Sequence, residues 1–126
     1  HPAIQEYEMT GPLSVPIGTI GYKDMMEKAV EHWYVELQDG AGNQLLRINT
    51  SDPRCERVGA VGTSPVRFKV TVTGADMPSL PTEVARTAIF RNSTDSTPIA
   101  EGQIVGALLY LPTDRVAVIT PIYVPE

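Results

Sequence analysis

A single cysteine, Cys55, among 126 residues rules out an intrachain disulfide framework. One thiol cannot build a structural zinc site either, and the two histidines, His1 and His32, lack metal-ligand spacing. Positive charge is sparse and scattered. The ten Lys and Arg residues form no basic run, so a nucleic-acid partner is not expected. No apolar stretch approaches about 18 residues without a Pro or a charge, which excludes a membrane-crossing helix. No signal peptide is visible. Aromatic residues make up 6% of the chain, thin material for a stacked carbohydrate platform. There is no Gly-x-Ser-x-Gly nucleophile elbow, and Gly40-Ala-Gly42 lacks the third glycine of a dinucleotide fingerprint.

What is abundant points to a β scaffold. Eleven prolines and ten glycines imply many turns and extended connections. A hydrophobic fraction of 42% with 20% charge fits a folded domain, and the net charge of −5 favours solubility. The length suits one domain. Residues 1–21, broken by Pro2, Pro12, Pro16 and three glycines, read as an extended N-terminal arm, with a short strand from Leu13 to Ile20. Residues 22–126 then form a single antiparallel β-sandwich or small barrel. Its one helix is predicted over residues 22–33, where Met26, Ala29, Val30 and Trp33 share a face. Asp24–Lys28 and Lys23–Glu27 add i,i+4 pairs.

Strand signals follow. Trp33, Val35 and Leu37 alternate with Tyr34, Glu36 and Gln38, the two-residue period of a half-buried strand with one face toward solvent, and the chain returns from Leu45 to Ile48 after a turn-rich Asp39–Asn43. Trp33 is expected in the core. Residues 49–65 read as a long irregular connection. Val66, Phe68, Val70 and Val72 face one way and Arg67, Lys69, Thr71 and Thr73 the other. A strand over Glu83–Arg91 and a polar loop over Asn92–Pro98 come next.

The most distinctive stretch is Gly102–Val124, where only Asp114 and Arg115 carry charge. It reads as an apolar hairpin around Leu111-Pro112-Thr113-Asp114, a type I turn with Pro at its second position. Residues 103–120 would be the centre of the sandwich. Pro121 removes a ladder donor, so its strand lies at an edge, is bulged, or ends at Thr120.

No constellation of catalytic residues stands out. A Cys55–His32 dyad has no supporting local sequence. The oxygen-bearing loops Asp39–Asn43 and Asn92–Asp95 fit turn chemistry better than calcium binding. Asn49-Thr50-Ser51 and Asn92-Ser93-Thr94 match the N-glycosylation acceptor and fall in loops. No cofactor or metal is expected.

The function expected is non-enzymatic: a structural or assembly protein that associates with itself and with a larger assembly. Candidate contact residues on the arm are Met9, Leu13, Val15 and Ile17. On the C-terminal stretch they are Ile104, Leu108, Tyr110, Val118, Ile122 and Tyr123. A small, β-rich, thiol-poor chain with an arm resembles, in architecture alone, the often trimeric decoration (cement) proteins of phage heads, which implies a virion-surface or extracellular location. The alternatives are an adhesin-like or carbohydrate-binding β-sandwich module and, more remotely, a small enzyme with dispersed carboxylates.

Overall fold

The computed structural model describes Gly21, Asp24, residues 28–58 and residues 66–122. Seven strands run through them: β1 (Tyr34–Gln38), β2 (Gln44–Asn49), β3 (Cys55–Val58), β4 (Val66–Thr73), β5 (Thr82–Phe90), β6 (Ala100–Leu109) and β7 (Arg115–Ile122). They make two sheets of order β2-β1-β5-β6 and β3-β4-β7, with every pairing antiparallel. The architecture is a β-sandwich, and no barrel closes.

Side-chain alternation explains how the sheets stack. Phe68, Val70 and Val72 of β4 are buried, while Arg67 on the opposite face is exposed. They meet Val35, Leu37, Ile48, Ile89 and Leu109 of the other sheet, with Val30 and Met77 completing the core. Each such side chain contributes roughly 1.5–3 kcal/mol when fully buried. Among the described residues a polar link crosses the core, where the Thr87 and Thr120 hydroxyls lie 3.2 Å apart.

The helix is shorter at its C-terminus than the periodicity predicts. Gly21, Asp24 and residues 28–30 are helical. The helix then closes with two three-residue bonds, His32 N–H to Ala29 O (3.0 Å) and Trp33 N–H to Val30 O (3.2 Å). Trp33 leads into β1 and packs against the core. The Asp24–Lys28 ion pair forms at 2.9 Å. The arm over 1–20, including Met9, Leu13, Val15 and Ile17, lies outside the described residues.

Three expectations are corrected. Residues 49–65 are not wholly irregular, because Cys55–Val58 forms β3 against β4. Gln38 and Glu36 do not lie on a solvated face: both are buried. Above all, β6 and β7 are not a hairpin. β6 pairs with β5 in one sheet and β7 with β4 in the other, so Tyr110–Asp114 arches across the sandwich. Among the described residues, β6 and β7 therefore lie at the edges of two sheets rather than at the centre of one. The turn itself is as read: Asp114 N–H donates to Leu111 O at 3.0 Å, with Pro112 at the second position. Pro121 pairs opposite Arg67 within β7, and β7 is indeed an edge strand.

Two features fix this arch. The Asp114 carboxylate accepts from Tyr110 N–H and Leu111 N–H, both at 2.8 Å. Those bonds hold its carboxyl below the usual range. The arch also rests on the short 3-10 turn Gly74–Asp76: Gly74 N–H donates to Asp114 O at 2.9 Å and Ala75 N–H to Pro112 O at 3.2 Å. The β5–β6 ladder shifts register between Val84 and Arg86, where Val84 opposes Ala107 and Arg86 opposes Gln103. Ile104, Val105 and Gly106 are left as a bulge in β6.

Candidate interaction surface

The apolar sequence of β6, the arch and β7 exceeds what the core takes in. Ile104 packs against the core, Leu109 and Val118 are buried, and Val116 is partly buried. The remainder faces outward: Val105 is 95% exposed, and Leu108, Tyr110, Leu111 and Ile119 are each more than half exposed. With Ile99, these are all the exposed large hydrophobics among the described residues. The bulge explains Val105, since an extra residue in one strand has no partner position and is pushed out of the pleat.

The predicted contact residues divide accordingly. Leu108 and Tyr110 are on the exposed face, as a contact requires. Val118 is 4% exposed and committed to the core, so it has no surface to offer. Ile104 is half-buried against the core. Ile122 closes β7, and Tyr123 lies outside the described residues. Val105, Leu111 and Ile119 are exposed as well and were not singled out by sequence; Ile119, between buried Val118 and Thr120, points out of the β3-β4-β7 sheet, whereas Leu108 points out of the other sheet. The signal available was the excess of apolar residues over what one core face of two strands accommodates.

A cleft of about 270 Å³ opens on this side between the sheets. Thr87, Ile89, Ala100 and Gly102 line it from one sheet, Ile119 and Thr120 from the other. It lies where β6 and β7 part at the end of the sandwich away from the arch.

Groups with chemical potential are engaged structurally. Burial, then the charge of Asp52, pushes the Cys55 thiol up to about 11, opposite to the depression a nucleophile needs. His32 is exposed in the turn after the helix. The Asp39 carboxylate accepts from Asn43 Nδ2 (3.0 Å), Asn43 N–H (2.8 Å) and Ala41 N–H (3.0 Å), which lowers its pKa and closes the β1–β2 turn around Gly42 at φ 88°. Asn92 Oδ1 accepts from Asp95 N–H (2.8 Å) and Thr94 N–H (2.9 Å). Asn49 binds Trp33 O through Nδ2 at 3.2 Å. Among the described residues no group of three or more His, Cys, Asp or Glu is placed to hold a metal. Tyr110 is the one strongly exposed ring among them, while Trp33 and Tyr34 are partly buried.

On the outer face of the larger sheet, Glu36 (4% exposed) pairs with Arg47 (10%), Arg47 Nε donating to Glu36 Oε1 at 2.9 Å. Gln38 Nε2 donates to the other carboxylate oxygen. The Arg47 guanidinium lies 3.6 Å above the Phe90 ring, and its Nη1 donates to Asp95 O at 2.8 Å. Arg47 thus fastens the loop after β5 onto the sheet, and that loop covers the polar residues.

A second ion cluster ties β3 to the 3-10 turn. Arg54 donates to Asp52 Oδ2 (3.0 Å) and Asp76 Oδ1 (2.8 Å), and Thr73 N–H donates to Asp76 Oδ2 at 2.8 Å. The Thr73 N–H and then Arg54 hold the Asp76 carboxyl below its ordinary 3.8. Arg54 does the same for Asp52. Folded-state values below the unfolded ones mean stabilisation that is complete above about pH 4 and lost as pH falls through the lower folded values. Asp76→Asn is therefore expected to cost about 1 kcal/mol at pH 7, reduced by partial solvation. It should also flatten the loss of stability between about pH 4 and 2. Urea unfolding across that range checks both.

Comparison with known protein families, with characterised proteins and with solved structures finds no match.

Proposed function

We propose that this chain is a non-enzymatic assembly protein that associates with copies of itself through the β6–arch–β7 side, in the manner of proteins that decorate virion surfaces. One observation carries the reading: Val105, Leu108, Tyr110, Leu111 and Ile119 stand exposed on two consecutive strands and the arch joining them. Scattered surface hydrophobics need no explanation, but five of the six exposed large hydrophobics among the described residues fall on β6, the arch and β7, and such clustering marks a contact. Its make-up, with aliphatic residues around one tyrosine and little charge, is that of an interface centre. The virion-surface class is supported by the small size, the β-sandwich and the single unreactive thiol.

Sedimentation velocity of the 126-residue chain over a wide concentration range tests this. A defined oligomer is expected. Leu108→Glu combined with Val105→Asp should weaken association at least tenfold, about 1.4 kcal/mol, with an unchanged circular dichroism spectrum. A single chain at every concentration overturns the proposal.

A further inference from the structure

We propose that the cleft between β6 and β7 receives residues Leu13–Ile17 from a second copy of this chain as an added strand. This rests on the self-association reading and names the segment that would complete it.

The cleft is bounded by two sheet edges. Among the described residues β6 pairs with β5 alone and β7 with β4 alone, so beside the cleft each leaves one row of backbone amides and carbonyls unpaired along its outer edge. Such edges accept an extended segment by main-chain hydrogen bonding. At about 270 Å³ the cleft falls below the roughly 300–1,000 Å³ typical of small-molecule sites. Its lining mixes apolar Ile89, Ala100 and Ile119 with polar Thr87, Glu101 and Thr120, and Gly102 presents bare backbone. A Cβ built at Gly102 meets no atom within 4 Å, so incoming side chains have room there. β6 keeps regular register from Ala100 to Gln103, before its bulge, a length matched to a short donor.

The sequence offers one segment of this kind outside the described residues. Leu13, Val15 and Ile17 alternate with Ser14 and Pro16, the two-residue period of a strand. Residues 9–22 contain no charged side chain, so insertion would bury none. Pro16 lacks an N–H, but in an edge strand alternate amides point away from the ladder, and proline is tolerated there. A second copy is the donor because a five-residue strand would leave Val105, Leu108, Tyr110 and Leu111 uncovered. A partner subunit docking on that side covers them while delivering its arm.

The test uses 126-residue chains carrying Cys55→Ser. One also carries Val15→Cys and the other Gly102→Cys; they are mixed and oxidised. A disulfide-linked pair is expected in which peptide mass mapping joins position 15 of one chain to position 102 of the other, and only like-with-like links would overturn the arm inference. A chain bearing both substitutions that links internally, at unchanged mass, overturns exchange between copies. Absence of any link in chains that still sediment as oligomers overturns the arm inference and leaves self-association standing. Single chains throughout overturn both. In the otherwise unmodified protein, Val15→Asp should weaken association at least tenfold, and unchanged association would count against the arm.

Discussion

Replacing Arg47 by methionine is expected to destabilise the fold by about 3–5 kcal/mol, the range for removing one partner of a buried ion pair. The Glu36 side chain is 4% exposed, and among the described residues Arg47 is the cation paired with it. Methionine keeps most of the packing over Phe90 but leaves the carboxylate buried among β-sheet neighbours with Gln38 alone as donor. It also frees the Asp95 carbonyl that Arg47 holds at 2.8 Å, so the loop after β5 should loosen. Adding Glu36→Gln removes the stranded charge while leaving an acceptor for Gln38, and the double variant should regain half of the loss or more. Urea unfolding of the two single variants and the double gives the coupling directly. A single Arg47→Met variant within 1 kcal/mol of the parent, the scale of an exposed pair, would show that water reaches Glu36.

Gly74→Ala is expected to cost about 3 kcal/mol, at the upper end of overpacking penalties. A Cβ at this position would stand 2.1 Å from Leu111 O and 2.8 Å from its carbonyl carbon. These are backbone atoms of a turn already fixed by Asp114 and Pro112, so they cannot rotate aside. Relief requires the arch to lift off the 3-10 turn, breaking the Gly74–Asp114 and Ala75–Pro112 hydrogen bonds. Gly102→Ala provides the control: its Cβ enters open space, and stability should stay within about 0.5 kcal/mol of the parent. Thermal unfolding of both variants compares the two glycines within one scaffold.

The sequence was most legible where local chemistry decides local structure. β4 is read residue for residue, because strict alternation of Val and Phe with Arg, Lys and Thr leaves only one face to bury. The β1–β2 hairpin follows from the Asp-Gly-Ala-Gly-Asn connection, and the Leu111–Asp114 turn from Pro112. The errors came from partners distant in sequence. Glu36 and Gln38 alternate with apolar residues as solvent-facing residues do, but their cover is a loop more than fifty residues away, fastened by Arg47. β3 has only Cys55 and Val58 as apolar residues, too little pattern to distinguish it from loop. The arch contained an unused clue. No described non-glycine residue has positive φ, so Thr113 cannot supply the primed turn that favours tight hairpins. A type I turn splays its flanking strands, consistent with their entering separate sheets. Of the candidate surface, Leu108 and Tyr110 were identified in advance. Val118 was not separable from them, since apolar character alone does not tell which side of a pleat a residue occupies.

The break at Ile104–Gly106 also bears on how far the proposed self-association could extend. A ten-residue edge in unbroken register would be a template for its own kind, joining sheet to sheet into a fibre of indefinite length. Interrupting β6 at its midpoint shortens any backbone zipper to fewer than half of those residues, and Val105 stands across the path of a flat approaching strand. In the proposed self-association, copies meeting here would have to fit by shape in one orientation, which favours closure at a fixed number of subunits.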